Sequence, residues 1–318
     1  MEKIKKPLLI VLLGPTAVGK TKVAIALAKR YNSCIISSDS RQFYKQMRIG
    51  TARPAEEELS AAEHHFIGFL EITEPYSAGK FEKEALDFLE VYFRNNKIAI
   101  MAGGSGLYAE AVCEGLDDLP VDDETRQELI QLFEEHGIEK LQSLLFEADP
   151  EYYEKVDKKN PQRLIRALEV IKLSGNTYSS LRMSKSTERS FECIKIALDM
   201  PREMLYDRID QRVNQMMKEG LLDEVKSLLP HKDLNALNTV GYKELFEFLE
   251  GNCTEAEAIE QIQKNTRRFA KRQLTWLRRL PELHWVHLTS DERAVEEISR
   301  LVEAFISGNL IPQTSMQD

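Results

Sequence analysis

The stretch LLGPTAVGKTKVAIALA, Leu12 to Ala28, decides the architecture, because it carries the phosphate-binding pattern G-x-x-x-x-G-K-[ST] with Gly14, Gly19, Lys20 and Thr21 in the fixed positions. Before it, Leu8 to Leu13 is a brief apolar run of strand type. After it, Lys20 to Tyr31 sets Val23 against Leu27 and Ala24 against Ala28 at i, i+4, which is a helix pattern. Strand, glycine-rich loop and helix in that order is the context in which such a loop holds phosphate. Backbone N–H groups and the positive helix end would cradle the oxygens, Lys20 would neutralise them, and the Thr21 hydroxyl would help to hold Mg²⁺. The pattern leaves open which phosphate compound is held.

Outward from the loop, five further short apolar runs read as strands: Cys34 to Ser37, His65 to Leu70, Ile98 to Met101, Cys193 to Leu198 and His284 to Leu288. Helical patterns separate most of them, as in Phe81 to Asn95 with Leu86, Leu89 and Phe93. Alternation of this kind predicts an α/β fold, a parallel sheet covered by helices on both faces, with phosphate ligands at the carboxyl ends of the strands. Between Gly115 and Ser190 strand signals vanish. One helix is expected over Asp122 to His136, stopped by Gly137, and a second from Pro161 to Gly175. The polar NTYSSLRMSKSTERS that follows reads as a mobile connection. The chain therefore divides into a core, residues 1–115 and 190–318, and an inserted all-helical subdomain, residues 116–189. Pro201 opens a long helix with Leu205, Ile209, Val213 and Met217 along one stripe.

Composition sets limits on function. The 318 residues are 42% hydrophobic and 30% charged, which suits a soluble protein with one large core or a core plus a smaller domain, and Leu8 to Leu13 is far too short for a membrane span. With no signal-peptide pattern, a cytoplasmic location is expected. Cys34, Cys113, Cys193 and Cys253 lie roughly sixty residues or more apart, matching neither a metal site nor a disulfide framework. His284 and His287 read as edge-of-strand residues. A net charge of −9 argues against a uniformly basic surface, yet QIQKNTRRFAKRQLTWLRRLP, Gln261 to Pro281, holds seven Lys or Arg and no acid. Helical spacing gathers Lys264, Arg268, Lys271, Arg272 and Arg279, with Phe269, Leu274, Trp276 and Leu277 free to pack or stack. That stretch suits a nucleic-acid backbone, the alternative being a solvated helix face.

Three other places bear chemistry. CIISSDSRQFY, Cys34 to Tyr44, sets Asp39 at a strand's carboxyl end beside the loop, as a water-mediated Mg²⁺ ligand, a proton acceptor or a plain helix cap. MAGGSGLY, Met101 to Tyr108, is a turn whose small residues either admit a second substrate or merely turn tightly. Arg208 and Arg212, one helical turn apart, either stabilise charge on a leaving phosphate or bridge Asp207, Asp210 or Glu219 at the surface. Asp199, ending IKIALD, resembles a metal-binding strand end, but Met200 and Pro201 after it favour a plain helix entry.

Taken in order, GPTAVGKT, ISSDSRQFYKQMRIGTARP, GGSGLY, NPQRLIRALEV, TVGYKEL and RRFAKRQLTWLR resemble the tRNA dimethylallyltransferase family over nearly the whole chain. The resemblance implies a P-loop kinase-like core with a helical insertion. It also implies transfer of a dimethylallyl group from dimethylallyl diphosphate to the exocyclic N6 amine of the adenine just 3′ of the anticodon, with diphosphate expelled. The loop of Gly14, Pro15, Thr16, Ala17, Val18, Gly19, Lys20 and Thr21 would then cradle diphosphate, with Mg²⁺ on Thr21. Asp39 looks like the general base, with Lys20, Thr21 and Arg208 stabilising the leaving group.

By the same resemblance Asp39, Ser40, Arg41 and Gln42 meet the target nucleotide. Ser105 stands where the family often has Thr. Contacts to tRNA are implied for Arg126 and for Gln162, Arg163, Leu164, Ile165 and Arg166. They are implied also for Asn238, Thr239, Val240, Gly241, Tyr242 and Lys243, and for Lys271, Arg272, Gln273, Leu274, Thr275, Trp276, Leu277 and Arg278. The partner would be the tRNA anticodon stem-loop, bound by a monomer of the shorter bacterial type with its target base flipped out. The competing readings are a small-molecule or nucleoside kinase using the loop for ATP, and a non-catalytic nucleotide-dependent RNA-binding module. The basic Lys264 to Arg279 stretch and the absence of an Arg-rich lid weigh against the kinase.

Overall fold

The computed structural model describes residues 4–117, 119–182 and 188–310. Along the chain the elements are β1 (Leu8–Leu13), α1 (Lys20–Tyr31), β2 (Ile35–Ser37), α2 (Glu56–Ala61), β3 (His64–His65), α3 (Ala78–Tyr92), β4 (Ile98–Ala102) and α4 (Gly106–Glu114). There follow α5 (Asp123–Ala148), α6 (Pro150–Lys155), α7 (Pro161–Ser174) and α8 (Tyr178–Leu181). The remainder is β5 (Glu192–Asp199), α9 (Arg202–Lys218), α10 (Leu221–Leu228), α11 (Tyr242–Leu249), α12 (Glu255–Leu277), β6 (Leu283–His287) and α13 (Asp291–Ile306). Two compact units result, one of Met1–Cys113 with Glu188–Asp318 and one of Glu114–Thr187.

In the first unit six parallel strands form one sheet in the order β3-β2-β4-β1-β5-β6. Strand β1 sits inside the sheet with both faces covered, and its side chains alternate. Leu9, Val11 and Leu13 enter one apolar cluster with residues of α3, α4 and α10 to α12, while Leu8, Ile10 and Leu12 enter the other with residues of α1, α9 and α13. A strand buried on both faces has no polar face to show, which is why the run is continuously apolar. Each such fully buried aliphatic side chain contributes about 1.5–3 kcal/mol.

Two boundaries differ from the sequence reading. The third strand is only His64–His65, because Phe66 adopts φ 61° and Gly68 φ 58°, which turn the chain away; Leu70 makes one isolated bridge to Tyr44. In the second unit α5 continues past Gly137, but Gly137 itself has φ 75° and ψ −178°, so two helical segments meet there at a kink. Asn160 caps α7 by accepting from the Arg163 N–H, and Gly175 ends it at φ 69°. Leu141, Leu145, Tyr152, Leu164 and Leu168 form that unit's core. Of the stretch expected to be mobile, Tyr178–Leu181 is a short helix and residues 183–187 lie outside the described residues. Among the described residues no helix is long and apolar enough to cross a membrane.

Candidate active site

The carboxyl ends of β1, β2 and β4 lie side by side, because β4 pairs with both β1 and β2. Each end continues into a chemistry-bearing turn. After β1 comes the phosphate loop, where Gly19 takes φ 110° and a side chain there would be strained. Ala17 is also left-handed at φ 66°, so consecutive N–H groups curl towards a common point. After β4, Gly103 presses so closely on the turn after β2 that a Cβ would come within 2.3 Å of Ser38 Oγ and 2.9 Å of the Asp39 nitrogen. The small residues of GGSG serve this close approach.

Above the strand ends opens a cleft of about 950 Å³. Thr16, Ala17, Gly19, Lys20 and Thr21 of the loop line it, facing Asp39, Gln42, Gly103 and Gly104. Arg208 and Arg212 close one side from α9, and Phe269 and Gln273 another from α12. Lys20 folds back on its own loop, its Nζ donating to the carbonyls of Gly14 at 3.0 Å and Pro15 at 2.9 Å. Burial pushes its ammonium down to about 8, against the opposing attraction of Asp39. Burial likewise lowers Arg212, and Asp39 again opposes the shift. One carboxylate thus faces two partly buried cations whose hydration is reduced, an environment that favours an incoming anion.

Arg208 donates from Nη1 to the Val18 carbonyl at 3.2 Å, which fixes it against the loop. Neither it nor Arg212 bridges Asp210; that carboxylate instead takes Arg267 at 2.5 and 2.7 Å. Asp199 accepts from the Met200 N–H at 2.7 Å as a helix entry and does not line the cleft. His284 and His287 lie on the edge strand β6. Among the described residues no cysteine forms a disulfide, and Cys34 and Cys113 are buried.

Several residues expected at a tRNA surface are otherwise engaged. Arg41 donates from Nη1 to the Asn235 and Ala236 carbonyls, both at 2.9 Å, and so ties the segment before α11 to the turn after β2. Ser40 and Ser105 bond each other at 3.1 Å. Leu164, Ile165, Gly241, Tyr242, Gln273 and Leu277 are buried, so the side chains among them cannot reach an RNA lying on the surface; they anchor their elements instead. Asn238, Lys243, Lys271, Arg272, Thr275 and Arg278 are exposed, and Thr239, Val240, Leu274 and Trp276 partly so. Asn238, Thr239, Val240, Lys243 and Arg272 line a second cleft of about 410 Å³. In the helical unit Gln162 and Arg163 are exposed, while Arg126 and Arg166 turn to the buried carboxylate of Glu169.

Sequence reasoning missed the loop from Arg48 to Pro54 as a wall of the cleft, along with Glu58 and Glu219. No periodicity marks that loop. Arg212 and Phe269 were visible, since each sits one helical turn from another lining residue, Arg208 and Gln273 respectively.

Comparison with known proteins places this geometry in context. The model of the IPP transferase family matches residues 42–280. A tRNA dimethylallyltransferase of Christiangramia forsetii is 52% identical over 288 residues, 90% of this chain and 95% of that protein. A tRNA dimethylallyltransferase 1 of Bacteroides thetaiotaomicron is 47% identical, covering 91% of this chain and 94% of its own. Among solved structures, a tRNA isopentenylpyrophosphate transferase of Bacillus halodurans superposes with TM-score 0.70 at 36% identity, over 96% of this chain and 98% of that one. A eukaryotic dimethylallyltransferase described as acting on tRNA gives TM-score 0.80 at 26% identity, over 97% and 82%.

Proposed function

This chain belongs to the tRNA dimethylallyltransferase family, and on that premise we propose how its residues transfer a dimethylallyl group from dimethylallyl diphosphate to the N6 amine of the adenine 3′-adjacent to the anticodon. The observation that carries the proposal is the meeting of Lys20 and Asp39 in one cleft, where the attraction of Asp39 works against the burial that lowers Lys20. The relatives' names favour this reading over a kinase that spends ATP.

The diphosphate lies on the loop N–H groups and the α1 terminus, against Lys20, Arg208 and Arg212. An adenine amine is a weak nucleophile, its lone pair being delocalised into the ring. Asp39 accepts the N–H hydrogen bond, orients the amine and takes its proton as the new N–C bond forms. The allylic C–O bond breaks with its electron pair leaving on diphosphate, where each well-placed cation is worth about 2–4 kcal/mol. The Thr21 hydroxyl, beside the loop and lining the cleft, would fit Mg²⁺, which takes one or two protein oxygens and fills its shell with phosphate and water. When bound it supplies further neutralisation of the diphosphate. The adenine must leave its stack to reach Asp39, so the stem-loop docks with that base flipped. The exposed cations Lys271, Arg272 and Arg278 suit its backbone.

The test supplies Mg²⁺, labelled dimethylallyl diphosphate and tRNA lacking the modification, with labelled ATP in parallel. Label enters tRNA from the prenyl donor alone. Asp39→Ala abolishes turnover while tRNA affinity stays within about twofold; a loss of affinity as large as the loss of turnover would reassign Asp39 to recognition.

A further inference from the structure

Gln273 is a buried amide used at both ends. The Thr16 N–H of the phosphate loop donates to its Oε1 at 2.9 Å, and its Nε2 donates to the Gly104 carbonyl at 2.9 Å. These partners stand 257 and 169 positions away in the chain, so no local turn brings them together. The Gly104 turn is held from both sides. A Cβ on Gly104 would lie 2.5 Å from Gln273 Nε2 and 3.7 Å from Asp39 Oδ2, while Gly103 rests on the Ser38–Asp39 backbone. One side chain therefore links the loop after β1 to the turn that backs Asp39.

We infer that Gln273 is a positioning residue of the transfer reaction, setting the spacing between the diphosphate cradle and the Asp39 carboxylate; this rests on the function proposed above. The chemistry requires an amide at this place. One acceptor and one donor must act together in a buried site, and neither a carboxylate nor a thioether supplies both. The helix that bears Gln273 on its inner face exposes Lys271 and Arg272 on its outer one, with Arg278 exposed just past its end. Inner and outer faces consequently do different work, and substitutions on them separate.

The experiment compares Gln273→Met and Gln273→Glu with the unaltered protein. Loosening the spacing of reacting groups by an ångström costs on the order of 10- to 100-fold in rate, so kcat falls by that factor while Kd for tRNA stays within twofold. In the unaltered protein the Thr16 amide is protected from hydrogen exchange, a readout independent of whether a variant folds well. Three results would overturn the inference: kcat within twofold in both variants, a tenfold weaker Kd for tRNA at unchanged kcat, or a Thr16 amide exchanging as freely as an exposed loop amide. Failure of the unaltered protein to transfer any label would overturn the proposed function and the brace together. Normal turnover in the unaltered protein beside unimpaired variants overturns the brace alone.

Discussion

The hydroxyl of Tyr242 donates to the Glu224 carboxylate at 2.7 Å, and that carboxylate also accepts the N–H groups of Arg48, Ile49 and Gly50 at 3.0, 2.7 and 3.0 Å. Gly50 packs closely against the hydroxyl end of the Tyr242 ring, where a Cβ would come within 2.6 Å of it. Burial and the adjacent carboxylate keep the phenol neutral and hence a donor. Replacing Glu224 by Gln turns one acceptor into a donor facing backbone donors. Glu224→Gln should therefore lose about 1–3 kcal/mol in chemical denaturation, and Tyr242→Phe about 1 kcal/mol. A Glu224→Gln protein as stable as the parent would show that the carboxylate does not hold this loop.

Lys20 gives a pH prediction. In the free protein its ammonium titrates near 8, since burial disfavours the charge. Below that pH the cation is present to meet a phosphate; above it the site binds as a neutral amine and must take up a proton. The Kd of inorganic diphosphate should consequently rise as pH passes from 7 to about 9.5, approaching tenfold per unit above 8. Lys20→Arg, whose charge does not titrate in this range, serves as the control for the ligand's own ionisation. Parallel pH profiles for parent and variant would remove Lys20 from the linkage.

Much of this site was legible because it is local. The β1, loop and α1 pattern is contiguous, and the position of Asp39 follows from a strand end three residues long. Apolar periodicity reports which face is buried, so the sheet and the two capped helices of the second unit could also be read. Long-range polar contacts leave no such trace. Nothing near Gln273 announces that its amide spans to Thr16 and Gly104, and nothing near Glu224 announces a bond to Ile49 175 positions away. Arg41 looks like a ligand-binding residue in sequence, yet two distant carbonyls occupy it. The likeness to relatives identifies segments; burial decides which side chains within them face a partner.

Glu169 supplies a prediction for the helical unit. Its carboxylate is 1% exposed and accepts from Arg166 at 2.9 Å and the Asp122 N–H at 3.2 Å, with Arg126 at 3.6 Å. A buried carboxylate persists only when paired, and its removal strands the partners. Both guanidiniums keep some access to solvent, which lowers the cost. Glu169→Ala should destabilise the protein by about 3 kcal/mol, while freeing Arg126 from its tether; Arg166 keeps its bonds to the Leu119 and Pro120 carbonyls. Denaturant titration measures the first effect, and a loss below about 1 kcal/mol would show that the Glu169 carboxylate does not hold this corner of the unit.

The outer face of α12 and its end gives the last prediction. Lys271, Arg272 and Arg278 are exposed, and Arg272 lies 5.8 Å from the Phe269 ring centre, so this surface offers point charges beside an aromatic face. Charges that neutralise phosphates release counterions, and each contact contributes about 0.7 to 0.9 to the slope of log K against log salt. Lys271→Ala should weaken tRNA binding and flatten that slope by about this amount, leaving kcat at saturating tRNA unchanged. Removing a charge that only faces water would change neither affinity nor slope. Measuring Kd between low and moderate salt for parent and Lys271→Ala distinguishes the two: an unchanged slope would return this face to ordinary solvated surface and move the tRNA contact to the cleft lined by Asn238 and Lys243.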